Sequence, residues 1–282
     1  MGDRLVRAVR RGVPWERAVD AERARGALPP GALGTELLET LRAKSRFVTD
    51  AATAEIGPPV DRGSVDVRIA LPDGRTLAGT VADLRMDDGA PGPAVLESVS
   101  YSRLGPKHRL AAWVRLLALT AARPDQPYEA VTIGRRRDAD KKDEHVSVSR
   151  IPSPGGDDPA ARRAAALEAL SVLVDLRDRG MREPPPLWCA TSHAYVAHGP
   201  RTKPAASAAK AWASGFMFDR EDRDAEHQLV HGGVVPYDRL AEERPRDDET
   251  GSGWDDGETT RAGRWARRLW TPLRDAEELT DR

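Results

Sequence analysis

VDVRIALPDGRTLAGTVADLR, residues 65–85, decides the fold class. Val65, Val67 and Ile69 alternate with Asp66 and Arg68, the period of a half-buried strand. Pro72-Asp73-Gly74 supplies turn chemistry, and Leu77–Leu84 reads as the returning strand, so the stretch predicts a β-hairpin. A Gly/Pro/Asp-rich loop over 86–93 follows, then a third strand, Ala94–Tyr101. Beyond it, Lys107–Ala122 is the clearest helix in the chain. Its Leu110, Trp113, Val114, Leu117 and Ala121 are expected to form the buried stripe. Ala130–Gly134 and His145–Ile151 read as two further strands. Asp157–Gly180 reads as a long Ala-rich helix opened by Asp158-Pro159 and closed by Gly180.

Upstream of the hairpin, Asp3–Arg11, Trp15–Arg25 and Gly34–Phe47 carry helical spacing, the second broken by Gly26-Ala-Leu-Pro-Pro-Gly31. A helix this close to the first residue predicts a chain cut from a longer protein. Downstream, Glu183–Leu187 is a proline-rich stop, and Ser207–Phe216 and Thr259–Leu273 are helical. Asp219–Gln228 is acidic, and Asp238–Glu258 is expected to be a solvated loop. The predicted organisation is a helical segment over 1–50, an α/β core over 51–182 and a helical and loop extension over 183–282, one compact domain overall.

Composition narrows the function. The net charge of -1 gives no global electrostatic case for nucleic acid or an anionic membrane. Cys189 is the only cysteine, which excludes an intrachain disulfide and a Cys-based zinc site. The first 15 residues are interrupted by Arg4, Arg7, Arg10 and Arg11, with no apolar run after them, so they are not a secretory signal. The longest apolar stretch, Leu110–Ala122, is broken by Arg115 and falls short of the ~20 residues that a bilayer requires. No membrane contact and a soluble, cytoplasmic protein are expected. Only six of the 44 basic residues are Lys and Asn is absent, the mark of a GC-rich coding bias. Arginine clusters therefore need independent support.

Motifs for common chemistries are weak. His227 and His231 stand at i and i+4 behind a run of acids. The Glu beside the first His precedes it, so the zincin order is lacking and a solvated surface is expected. His193 and His198 have no compelling spacing, and Cys189 reads as a structural thiol. Gly134-Arg135-Arg136-Arg137 has the residues to touch phosphate, but the acids up to Glu144 suit a self-neutralised loop. No phosphate loop, dinucleotide fingerprint or nucleophile elbow is present.

The order helix, hairpin, strand, long helix, strand resembles the core of the restriction-endonuclease-like PD-(D/E)XK nucleases, among them the nuclease domains of the RecB and AddB type. In that family a metal-binding Asp ends a G-x-I-D pattern on the second strand, and D-Y-K lies on the third. Here the matching positions are Gly79-Thr80-Val81-Ala82 and Ser100-Tyr101-Ser102, and Gly34 stands where such nucleases often place a metal-binding His. Asp83 is one residue late, which on a regular strand points it to the opposite face.

RGALPPGALGT (25–35), LAGTVADLR (77–85), YSRLGPKHRLAAWVRLLALTAAR (101–123), AVTIGR (130–135), LRDRGMREPPPL (176–187), KAWASGF (210–216) and RRLWTPL (267–273) together resemble the C-terminal domain of RecC chains of actinobacterial type. RecC is the gamma subunit of exodeoxyribonuclease V (RecBCD). The resemblance implies an α/β fold with a mixed sheet flanked by helices and helical extensions at both ends. It implies a non-catalytic domain without cofactor or bound metal, degenerate at Gly34, Ala82, Ser100 and Ser102. RecB-like and RecD-like chains would be its partners, with double- and single-stranded DNA at the fork. Lys107, Arg135, Arg136 and Arg137 are the candidate DNA contacts. The hairpin tips at 73–74, 87–93 and 135–144 are candidate strand-separating elements. Trp188, Trp265 and Trp270 are the candidate partner contacts, expected to leave an apolar patch exposed; the alternative is that they fill the chain's own core. Two other functions stay open: an active metal-dependent nuclease with relocated acids (Asp83, Asp87, Asp88, Glu97), and a protein–protein adaptor without DNA contact.

Overall fold

The computed structural model describes residues 1–26, 28–85, 92–136, 145–199 and 201–282. The chain divides into two compact units, Met1–Leu167 with Glu277–Arg282, and Glu168–Ala276.

The first unit opens with α1 (Gly2–Arg10), α2 (Trp15–Ala24) and α3 (Ala32–Ile56). The hairpin follows as β1 (Arg62–Ala70) and β2 (Thr76–Arg85), closed by the Leu71 amide donating to the Arg75 carbonyl at 2.8 Å. Then come β3 (Ala94–Arg103), α4 (Pro106–Ala122), β4 (Tyr128–Arg135), β5 (Val146–Pro152) and α5 (Pro159–Gly180), which runs on into the second unit. A last strand, β6 (Glu278–Asp281), completes the sheet.

The six described strands form one mixed sheet in the order β1-β2-β3-β4-β5-β6. β3 and β4 are parallel, joined across by α4, and every other neighbouring pair is antiparallel. A parallel pair needs a crossover of a dozen or more residues, and α4 provides it. Val48 and Ala52 of α3 pack against Val131, Ile133, Val146 and Val148, with Val95 and Val99 beside them. Leu5, Ala18, Val19 and Leu38 hold α1, α2 and α3 together. β6 carries no strand-like alternation of its own. It adds to β5 through Ser147↔Asp281 to Arg150↔Glu278, and Ser147 Oγ donates to Asp281 at 2.6 Å.

The α4 stripe is rotated from its expected position. Trp113, Leu117 and Ala121 are buried, with Ala112 and Leu116, but Val114 is exposed and Leu110 only half-buried. Arg109 takes the other buried place. Its guanidinium pairs with Glu277, which also accepts from Ser149 Oγ at 2.5 Å. Once the Arg stem packs inward, the apolar stripe turns with it.

The second unit is the rest of α5 with α6 (Cys189–Val196), α7 (Pro204–Trp212), α8 (Ala225–His231), α9 (Tyr237–Leu240) and α10 (Arg261–Ala276). Its core is aromatic. Trp188 meets Trp212 edge-on at 5.1 Å between ring centroids, and Trp265 meets Trp254 at 5.6 Å. Most acids of 238–258 are exposed, as the sequence suggests, but a few acids of this unit are structural. Glu221 accepts the Ala190 and Thr191 amides at 2.7 and 2.8 Å, supplying the cap that α6 lacks on its own. Glu249, fully buried, accepts from Arg261 Nε and Trp265 Nε1, both at 2.7 Å.

Trp113 is 3% exposed and Val114 39%. Trp113→Ala should lower stability to urea by about 3–5 kcal/mol, while Val114→Ala should cost under about 1 kcal/mol. Equal midpoint shifts for the two variants would contradict the rotated stripe.

Candidate functional site

β2 and β3 pair at Leu84↔Leu96. Past that point an opening of about 420 Å³ lies in the fork between the two strands. Asp83 of β2 and Glu97, Ser98 and Ser100 of β3 line it, with Asp3, Arg7 and Arg10 from α1, Arg11 just past its end, Arg62 from β1, and Lys107, His108, Ala111 and Arg115 from α4.

Asp83 lines this opening from a bulge in β2, while its neighbour Ala82 does not. Gly63 pairs with Leu84 and Ser64 with Ala82, so Asp83 is the unpaired extra residue. Its φ is 66°, a left-handed conformation that Asp tolerates better than most residues. There its carboxylate pairs with Arg11 at 3.0 Å.

Glu97 is the buried centre of the site, with 2% of its side chain exposed. Arg10 holds it with two bonds, Nε to Oε1 at 2.8 Å and Nη2 to Oε2 at 2.9 Å. Arg85 Nη1 donates to Oε2 at 3.0 Å, and Arg62 Nη2 pairs with Oε1. Each carboxylate oxygen therefore meets two donors, the full lone-pair capacity of the group. Burial pushes the Glu97 carboxyl up, but the Arg10 and Arg62 bonds and charges outweigh it and hold it below the usual range.

Asp3 docks the first helix onto β3. Its Oδ1 accepts from Ser100 Oγ and from the Tyr101 amide, both at 2.8 Å, and its Oδ2 accepts from Ser102 Oγ at 3.3 Å. Partial burial works against the charge, and these hydrogen bonds outweigh it, leaving the carboxyl below its ordinary value. Beside it, a Cβ on Gly2 would lie 2.2 Å from the Tyr101 ring, so only glycine permits this approach. Burial and the Lys107 charge lower the His108 pKa. A neutral ring suits its role, in which Nδ1 accepts the Gly105 amide at 3.2 Å.

The degenerate positions are only partly gathered. Ser100 and Ser102 converge on Asp3, and Ser100 lines the opening. Ala82 is exposed and outside the lining. Gly34 lies elsewhere, in the first turn of α3, where a Cβ would strike the Pro29 carbonyl. A divalent metal does not fit the described donor set. The Glu97 oxygens are filled by guanidinium groups, Asp83 is paired with Arg11, and Asp3 is engaged by Ser100, Tyr101 and Ser102. Asp87 and Asp88 lie outside the described residues. His227 and His231 pack among Trp188 and Trp212, and His227 Nδ1 contacts the Glu221 carbonyl at 2.8 Å.

Of the candidate DNA contacts, Lys107 is exposed on the rim. Arg135 is turned inward. It donates to the Tyr101 carbonyl at 2.7 Å and stacks over the Tyr101 ring. Arg136 pairs with Asp281 at 3.1 Å, and Arg137 lies outside the described residues. The tryptophans are core, which corrects their expected exposure. Trp188, Trp265 and Trp270 are all buried, and the Trp265 and Trp270 indoles donate to Glu249 and Ser192. Indole N–H groups that find internal acceptors can be buried at little cost. The large exposed apolar side chains described in that unit are instead Met181, Phe216, Met217, Phe218, Leu229, Val230 and Val234.

Arg7, Arg62 and Arg115 belong to no motif. Their one trace in sequence is spacing: Asp3, Arg7 and Arg11, and Lys107, Ala111 and Arg115, each fall at i, i+4 and i+8 on one helix face.

The family model for the RecC C-terminal domain matches residues 1–200. The chain is 35% identical over 280 residues to the RecBCD enzyme subunit RecC of Mycobacterium tuberculosis strain H37Rv, covering 98% of this chain and 23% of that protein. It is likewise 35% identical over 278 residues to the RecBCD enzyme subunit RecC of Mycolicibacterium smegmatis, with the same shares covered. The chain thus spans 23% of the length of the curated relatives it matches.

The charge arrangement can be probed at two residues. Glu97→Gln leaves three guanidinium groups buried against a neutral amide and should cost about 3–5 kcal/mol in urea unfolding. A variant as stable as the parent would show that these arginines find other partners. Asp3 has a folded pKa below its unfolded value of ~3.9. Its stabilisation is therefore complete above that value and lost as pH falls through the lower folded one. Asp3→Asn should flatten the acid limb of the stability–pH curve below about pH 5, and an unchanged limb would count against it.

Proposed function

The chain belongs to the RecC C-terminal domain family, and from that premise we propose that it is a non-catalytic domain of a RecC-type subunit. On this proposal the first unit is a restriction-endonuclease-like core that has lost its metal chemistry. It helps to scaffold RecB-like and RecD-like motor chains and to separate and guide DNA strands in double-strand-break repair. The α3, β1, β2, β3, α4, β4 order and the β3–β4 parallel pair support the fold assignment.

One observation carries the proposal. At the fork between β2 and β3, lined by one of the four positions that the nuclease resemblance gives to metal chemistry, Ser100, guanidinium groups occupy the carboxylates: three on Glu97 and one on Asp83. A guanidinium balances negative charge as a cation does, but it offers no open coordination position. It can neither lower the pKa of a bound water nor present a metal-bound hydroxide to phosphorus. Arginine also keeps its proton at any physiological pH, so it does not serve as general base. What is left for this domain is binding and steering, with the energy for unwinding coming from ATP hydrolysed by the motor chains.

The test is cleavage. Incubated with Mg²⁺ or Mn²⁺ and linear or forked DNA, the protein should leave the DNA intact. Divalent-metal-dependent cutting that disappears in Asp83→Ala would instead identify an active nuclease with relocated acids. A chain that joins its RecB-like and RecD-like partners but leaves DNA binding by the complex unaltered would be an adaptor without DNA contact.

A further inference from the structure

The opening at the β2–β3 fork is unbalanced in charge. Six cationic side chains line it against three carboxylates, Asp3, Asp83 and Glu97. Asp83 and Glu97 are neutralised from within by Arg11, Arg10, Arg62 and Arg85. Arg7, Lys107 and Arg115 are exposed on its rim, and no ion pair or hydrogen bond ties them to another described residue. A second observation is independent of these. Arg62 has 8% of its side chain exposed, and its Nη2 is used by Glu97 and by the Arg10 carbonyl at 3.3 Å. Its Nη1 is buried with no partner. A buried cationic N–H without an acceptor is costly, and a bound anion would satisfy it.

Resting on the reading above, we infer that this fork is a phosphate site that holds the backbone of a single DNA strand. α1 presents Arg7 from one side and α4 presents Lys107 and Arg115 from the other, with the small side chain of Ala111 leaving room between the α4 cations. A volume of about 420 Å³ exceeds one phosphate and admits the adjoining sugar. Apart from the His108 imidazole the lining has no aromatic or large aliphatic side chain; Val99, Ala111 and Ala112 are its apolar members. A protein partner docks on such anchors, whereas a phosphodiester strand is held by charge alone. Contacts to phosphate carry no base information, so the binding is independent of base sequence. The cations that displaced the metal thus retain its substrate's backbone without its chemistry.

The experiment is a salt titration of a labelled oligo-dT strand binding to the full chain, followed by fluorescence anisotropy. The variant is Arg7→Gln/Lys107→Gln/Arg115→Gln, with Arg68→Gln/Arg177→Gln as a charge-reduced control on exposed positions elsewhere. Each phosphate neutralised on a single strand contributes about 0.7 to the slope of log K against log salt, so the triple variant should lose about 2 from that slope. Its affinity at low salt should fall at least ~10-fold, since every cation removed leaves one phosphate with its counterion still condensed on it. The control should bind as the parent does, and all three proteins should share one urea midpoint. Pyrophosphate should displace the strand from the parent. Equal slopes for parent and triple variant would overturn the site while leaving strand guidance to other surfaces. No binding by the parent would overturn it as well. Displacement by poly-glutamate at lower concentration than by unlabelled oligo-dT would reassign the fork to an acidic peptide. None of these results involves DNA cleavage, the outcome that sinks the non-catalytic reading itself.

Discussion

A carboxylate buried as deeply as Glu97 stays charged only if cations come to it, and the first unit is arranged so that they do. Arg10 comes from α1, Arg62 from β1 and Arg85 from β2, while Glu97 itself belongs to β3. The same guanidinium groups reach further. Arg10 donates to Thr53 Oγ1 and to the Gly57 carbonyl at the end of α3, and Arg85 to the Pro58 carbonyl. Helix, hairpin and third strand are thus tied at one point. Such a cluster is a poor source of net stability, because four charged groups lose water to form it. What it confers is position: few other arrangements of these elements would pair those charges. The second unit uses the inverse device. There one buried guanidinium, Arg261, is shared by Glu183, Glu243 and Glu249 at 2.6, 2.8 and 2.7 Å.

Fixing α1 has consequences along its length. With Arg10 anchored, one turn of the helix carries Arg7 to the fork, and its first turn lays Gly2 and Asp3 on β3. Asp3 then gives Ser100 and Ser102 an acceptor, so the strand positions that a nuclease would use for metal and lysine are used for helix docking. The Asp83 bulge completes the arrangement. From that bulge the Asp83 carboxylate meets Arg11.

Much of the fold was legible because it depends on local pattern. Alternation over 65–84, the turn at Asp73-Gly74 and the α4 periodicity are short-range features, and each has its element in the structure. What sequence hid depends on long-range pairing. No periodicity announces that an extra residue will bulge at Asp83, that Arg109 will turn inward toward Glu277, or that β6 will close the sheet. The tryptophans illustrate the same limit. Trp265 and Trp270 sit among arginines in sequence, as interface anchors do. Yet α10 turns Trp265, Trp270 and Leu273 inward, and its arginines are bound by acids from the loop that sequence would leave in solvent. Arg137, Asp87 and Asp88 fall outside the described residues, so their part in the candidate site rests on sequence alone.

Arginine can perform only one of two tasks that a divalent cation performs together. A cation at a phosphodiester attracts the strand, and the same ion, when it has an open coordination position, activates water and stabilises the charge that builds up at phosphorus. Guanidinium and ammonium groups perform the first task well, through charge and directional N–H donors, and cannot perform the second. If the proposed strand-guiding role holds, that division suits it. A strand that must slide past needs contacts that are weak, repeated and indifferent to base identity, and salt-screened cations on the rim of a fork meet each condition. A cutting site at the same place would end the passage that the motors drive. On the proposed reading, carboxylates missing at Ala82, Ser100 and Ser102 and arginines on Glu97 and Asp83 would act in one direction, toward attraction without the chemistry.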